Sequence, residues 1–178
     1  KVIPPEEKEL YRFGVQQGLS IALNVVTTFV IGLVFRMVLE SFLFLAVYIP
    51  LRSFAGGIHA KTANRCYVYS SFMIIAVLLV IKFFPLGNLI CSCLSFLSGI
   101  IIFLLAPVEA EHKKLDEIEY VVYRKRSRII LVAEIIIQLL LSMIMPKRFI
   151  MCFSLSFVCL ATVMIVGAVK NKKNGECL

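Results

Sequence analysis

The sequence predicts an all-α, polytopic membrane bundle of about six transmembrane helices, and three observations carry that reading. Hydrophobic residues make up 60% of the 178 against 17% charged, and mean hydropathy is +0.93, above the roughly half-apolar composition of a soluble domain. The apolar residues fall into runs approaching the roughly 20 that cross a bilayer. Lys and Arg, in turn, collect in alternate connections between those runs. No long polar block stands apart, so residues 1–178 read as one integral membrane domain.

Taken in order, the candidate spans are Leu19 to Phe35, a short second run from Met37 to Leu51, Tyr67 to Phe84, Leu89 to Ala106, Ile129 to Met145 and Phe149 to Val169. Pro85-Leu86-Gly87-Asn88 separates the third from the fourth, and Pro146-Lys147-Arg148 the fifth from the sixth, so each pair reads as a hairpin. Gln17, Ser20, Asn24, Thr27 and Thr28 share one helical face of the first span, a stripe suited to helix packing or to lining a peptide groove. Glu134 and Gln138 make a polar face on the fifth.

Orientation follows from the basic residues, since cytoplasmic loops carry the excess of Lys and Arg. With the N-terminus inside, Lys1, Lys8, Arg12, Arg52, Lys61, Arg65, Lys113, Lys114, Arg124, Lys125, Arg126, Arg128, Lys170, Lys172 and Lys173 fall on the inner side. Only Arg36, Lys82, Lys147 and Arg148 are left outside. Both termini and the Arg52–Ser71 connection are therefore expected in the cytoplasm. The net charge of +8 belongs first to this topology and to anionic lipid, and no motif points to nucleic acid. The cluster Lys113, Lys114, Arg124, Lys125, Arg126 and Arg128 reads either as a lipid-facing anchor or as a docking patch for an acidic peptide.

Chemistry points to one polar island between the second and third spans, Arg52 to Ser71, which holds His59 and Cys66 behind Gly56-Gly57. A thiol and an imidazole there suggest a cysteine nucleophile at a membrane surface, with Arg65 and a nearby helix N-terminus favouring the thiolate. Cys91, Cys93, Cys152 and Cys159 lie inside apolar runs, where a thiol packs as a small hydrophobe, and Cys177 is in the tail. A metal site needs three or four ligands. Here there is no HExxH and no CxxC, and the other histidine, His112, is in a different loop, so no cofactor or metal is expected.

Spacing constrains the pair. Seven residues on one helix separate two side chains by about 10.5 Å, too far for a proton transfer at about 3 Å. The chain must turn back between His59 and Cys66, and Gly56-Gly57 offers the permissive backbone. Ser70, one turn after Cys66, is a candidate hydrogen-bonding neighbour, and Arg52 either orients substrate or marks the interface. Two readings from other classes remain open on these residues: a small peptide transporter or exporter subunit, and a non-catalytic membrane scaffold.

Arg52-x-x-x-Gly56-Gly57-x-His59-Ala60 with Cys66 and Ser70 resembles the core of the accessory gene regulator protein B family (AgrB), bacterial membrane cysteine endopeptidases that process a quorum-sensing propeptide. Weaker matches run through Glu9-Leu10-Tyr11-x-x-Gly14, Ile49-Pro50-Leu51, Ala106-Pro107-Val108-Glu109 and Tyr123-Arg124 to Ser127-Arg128. The resemblance implies His59 as general base and Cys66 as nucleophile, with Arg52, Gly56, Gly57 and Ser70 supporting the site. It implies an AgrD-like autoinducer propeptide as substrate, cut at its C-terminal tail and cyclised to a thiolactone through a thioester on Cys66. It also implies a homodimer in the bacterial cell membrane. No third catalytic residue is fixed: Glu40, Glu109, Glu111, Asp116 and Glu134 are all candidates.

Overall fold

The computed structural model describes the backbone of residues 5–57, 63–108 and 116–173, and side chains within 15–57, 67–108 and 116–170 except 16, 17 and 20. Six helices follow one another: α1 (Pro5–Phe35), α2 (Val38–Ala55), α3 (Ala63–Phe83), α4 (Asn88–Leu105), α5 (Glu117–Leu141) and α6 (Lys147–Lys173). No named strand occurs among the described residues. Three helices are long and apolar enough to cross a membrane, in α2, α4 and α6, while α1 and α3 hold the shorter apolar stretches Ile21–Phe35 and Tyr67–Phe83. The apolar part of α5 begins only after Arg128 and carries Glu134 and Gln138.

Two helices run further than the sequence suggested. α1 opens at Pro5, where a missing N–H costs nothing in a first helical turn, and its leading half is polar. α2 continues through Pro50 to Ala55, so Arg52 stands in its last turn rather than in a loop. The α1–α2 connection is a tight reversal with Arg36 in the left-handed region (φ 57°). Met37 N donates to Gly32 O (2.8 Å) and Arg36 N to Leu33 O (3.1 Å), closing the helix end in a Schellman turn. Gly32 lets α2 cross closely, since a Cβ there would sit 2.6 Å from Ser41 Oγ.

α6 is the centre of the bundle and packs chiefly on α4 and α2. Its Ile150, Met151, Phe157, Leu160 and Met164 are fully buried, whereas Leu89, Phe96, Phe72 and Leu140 face outward. Such outward apolar surface suits lipid, where helices associate by close packing and interhelical hydrogen bonds rather than by hydrophobic exclusion. Small residues serve that packing: Ser95 Oγ donates to Ser154 Oγ (2.9 Å), which also receives Gln138 Nε2 (3.0 Å) and donates to Cys91 O (2.9 Å). This seam joins α4, α5 and α6. On α1, Thr27 Oγ1 bonds the Tyr67 hydroxyl of α3 (2.6 Å), and Thr28 is buried with its hydroxyl on Asn24 O (2.7 Å). Both described threonines of the polar stripe thus act in packing. One core cluster, from Val47 and Leu51 through Phe157 to Val108, closes the end of the bundle where α2 and α4 finish.

Candidate functional site

α2 ends because two consecutive glycines leave helical space, Gly56 at φ 75° and Gly57 at φ 119°. Few L-residues with a side chain adopt either conformation without strain. Space imposes the same choice, since a Cβ on Gly56 would collide with the Val108 carbonyl and one on Gly57 with the Arg52 guanidinium. What the glycines permit is a backbone pairing between segments far apart in sequence. Gly56 and Val108 form an isolated parallel bridge, in which Val108 N donates to Ala55 O (2.9 Å) and Gly57 N to Val108 O (3.2 Å).

Arg52 completes this clamp. Its Nη1 donates to Gly56 O (2.9 Å), while Gly56 N donates back to Arg52 O (3.2 Å). The carbonyl of a strained residue is thereby held by a charged donor, a stronger bond than one between neutral groups. Ala55, Ala106 and Val108 are almost wholly buried, and the Ala106-Pro107 peptide bond is cis. Around the clamp, the ring of Phe54 meets Tyr123 of α5 edge-on with centroids 5.7 Å apart, and the Arg126 guanidinium lies 5.5 Å above the same ring. The first turns of α5 are thus docked beside the end of α2.

Arg128 points elsewhere. Its guanidinium stacks 4.0 Å over Phe103 of α4, and Nη2 donates to Phe103 O (3.3 Å). The basic cluster that is continuous in sequence therefore has two faces, Arg126 toward the clamp and Arg128 toward α4. Arg124 and Lys125, just before Arg126 in the helix, are exposed.

Of the residues singled out by sequence, the structure brings Arg52, Gly56 and Gly57 together. His59, Lys113, Lys114, Glu109 and Glu111 lie outside the described residues. Cys66 occupies the fourth position of α3, in its first turn, and its side chain likewise lies outside them. Ser70 follows one turn later, half-buried. Glu134 is buried on α5, one turn before Gln138, and far along the helix from Arg126. Among the described residues no group of three His, Cys, Asp or Glu side chains gathers as metal ligands. Cys91, Cys93, Cys152 and Cys159 are free thiols.

Sequence reasoning missed the partner of the glycine pair. Ala106-Pro107-Val108 stood out only as a weak match, because a backbone-to-backbone pairing leaves no side-chain signature. The cue available was its position, a proline just after an apolar run that finishes at the same end of the bundle as Gly56-Gly57.

Comparison with known proteins identifies the family. The family model described as accessory gene regulator B matches residues 1–165. The chain is also similar to the "Putative AgrB-like protein" of Clostridium perfringens (strain SM101 / Type A), 29% identical over 115 residues, covering 61% of this chain and 54% of the relative. The "Putative AgrB-like protein 2" of Clostridium perfringens (strain 13 / Type A) matches with the same identity and coverage. The chain thus spans about half the length of these curated relatives. No solved structure matches.

Proposed function

Because the chain belongs to the accessory gene regulator B family, we propose that it is a membrane-embedded cysteine endopeptidase that removes the C-terminal tail of an AgrD-like propeptide and cyclises the remainder. The observation that carries this reading is the pair of anchors on either side of His59, the second of which carries Cys66. The clamp fixes the chain at Gly57, and α3 begins at Ala63 with Cys66 in its first turn. A connection held at both ends can present His59 near the start of α3, as the spacing of the two residues requires. The unpaired N–H groups and the dipole of a helix N-terminus favour the thiolate over the thiol.

In this mechanism His59 takes the Cys66 Sγ proton and the thiolate attacks the carbonyl joining signal to tail. The tetrahedral intermediate collapses with cleavage of the C–N bond, and His59 returns the proton to the departing amine. The signal segment remains as a thioester on Cys66. The peptide's own thiol then attacks that thioester, forming a thiolactone and restoring the Cys66 thiol. One thioester replaces another, so the step is near balance apart from ring closure, and exclusion of water protects the intermediate.

Arg52 serves this site as a positioning residue through its hold on Gly56. Arg126, beside the clamp, is the member of the basic cluster best placed to meet an acidic tail, with Lys113, Lys114, Arg124, Lys125 and Arg128 adding to the local positive field. In this reading the protein acts as a homodimer with six spans, and the charge asymmetry supports termini and a site at the cytoplasmic face. The test is to incubate the full chain in lipid with an AgrD-like propeptide and search by mass spectrometry for a thioester on Cys66. A propeptide whose ring cysteine is replaced by alanine should release tail in a burst equal to the enzyme and then stall. Steady turnover to a linear acid would make water the acceptor and remove the cyclase function.

A further inference from the structure

The outward face of α5 carries a second feature, independent of the chemistry at Cys66. Below Arg128 the outward face of α5 carries an open, shallow apolar furrow lined by side chains of this one helix, Ile129, Val132, Ala133 and Ile136. Ala133 forms its floor because it has no side chain beyond Cβ, and the three longer residues form the rim. At 100° per residue this stripe lies opposite the buried face of Ser127, Leu131, Glu134 and Gln138. Lys125 stands one turn above it on the same side and is exposed. A cationic head thus crowns an apolar furrow.

We propose that this furrow binds one anionic phospholipid, its phosphate at Arg128 and Lys125 and an acyl chain along Ile129, Val132, Ala133 and Ile136. The dimensions fit that occupant. From Arg128 to Ile136 the helix rises about 12 Å, most of the roughly 15 Å depth of one leaflet's hydrocarbon. The charge sits at the end where a headgroup would be. Arg128 Nη2 donates one N–H to Phe103 O and Nε is buried, so the remaining Nη1 and Nη2 N–H groups are those left for a ligand. Stacking on Phe103 at 4.0 Å holds the guanidinium plane before any ligand arrives, so less side-chain freedom is lost on binding. A planar guanidinium offers phosphate two parallel N–H donors, which a zwitterionic headgroup with its own attached cation engages less well.

The proposal is tested by native mass spectrometry of the full chain in detergent with equimolar phosphatidylglycerol and phosphatidylcholine of the same acyl chains. Phosphatidylglycerol should be retained at least about fivefold over phosphatidylcholine, as expected for one basic contact near a membrane surface. Ala133→Phe, which fills the furrow, and Arg128→Gln should each bring retention down to the phosphatidylcholine level. Val30→Phe, exposed on α1, which does not pack on α5, should leave it intact. If Ala133→Phe does not yield folded protein, Ala133→Leu takes its place beside Arg128→Gln. Equal retention of the two lipids, or undiminished phosphatidylglycerol on both an Ala133 variant and Arg128→Gln, overturns the site. An acidic peptide that displaces the lipid and binds the Ala133 variant as well as the parent would assign Arg128 to peptide and overturn it equally.

Discussion

The two ends of the bundle are closed by different means. At one end the connections are short and local: the Schellman turn at Arg36, the Pro85 to Gly87 segment, and the Ser142 to Pro146 turn, where Asn88 Nδ2 reaches Ser142 O (3.1 Å). At the other end the connections are longer and are tied by backbone pairing between Gly56 and Val108, over fifty residues apart in sequence. Local turns can be rebuilt by many sequences. A long-range clamp through two positive-φ glycines tolerates little change, and it sits at the end of the bundle where α3, which carries Cys66, begins. Binding and catalytic groups concentrate on loops positioned by a rigid scaffold, and here the clamp fixes the chain at Gly57, where the connection that carries His59 departs.

The sharpest way to test that asymmetry is through the chemistry itself. Cys66→Ala and His59→Ala should each lower tail release by about 10⁴-fold or more, and the double variant should be little worse than either, because a nucleophile and its base act as a unit. Quantifying released tail from reconstituted protein checks this. Strictly additive losses with measurable activity in both single variants would separate the two residues.

Next in size is the clamp. Gly56→Ala introduces a Cβ at φ 75° that collides with the Val108 carbonyl, and should cost about 2–4 kcal/mol. Gly87→Ala at the opposite end meets nothing within 4 Å at an ordinary φ of −71° and should change stability by less than about 0.5 kcal/mol. Thermal denaturation of both variants in one detergent makes the comparison. Similar losses at the two glycines would mean that the ends are equally tolerant. Arg52→Met removes the charged donor from Gly56 O while keeping an extended apolar stem, with an expected cost of about 1.5–3 kcal/mol. Its loss of tail release should be recovered in part by Arg52→Lys, which restores a cation but not the planar fork.

How far the sequence could be read follows the same division. Helix positions and the turns at Pro85 and Pro146 were legible because apolar run length and proline act locally. Gly56-Gly57 was legible as a site of unusual backbone, since few residue types allow such a turn. Its pairing with Val108 was not, because main-chain hydrogen bonds between distant segments carry no residue code. The extension of α2 through Pro50 placed Arg52 in a helix, where its reach to Gly56 O follows from a spacing of four residues. The basic cluster was read as one patch because its members are neighbours in sequence. A helical wheel separates Arg126 from Arg128 by 200° of rotation, so that division was within reach once α5 was known to start at Glu117.

A loss smaller than the clamp's belongs to the half of the bundle away from it, at Ser154. Its hydroxyl accepts from Ser95 Oγ and Gln138 Nε2 and donates to Cys91 O, joining three helices at one atom. In water such a buried node would cost about 1–3 kcal/mol to remove. In a bilayer the unfolded reference also finds partners, and interhelical hydrogen bonds average about 0.6 kcal/mol with a maximum near 1.7. Ser154→Ala should therefore destabilise by about 0.6–1.7 kcal/mol, below Arg52→Met, and leave tail release per folded molecule unchanged. Ser154→Ala combined with Gln138→Leu should recover part of that loss, because the second change removes the donor that the first leaves stranded. The pair would be measured by denaturant titration in mixed micelles. A Ser154→Ala loss as large as that of Gly56→Ala, or a matching fall in tail release, would show that the serine seam and the clamp are one cooperative unit rather than two.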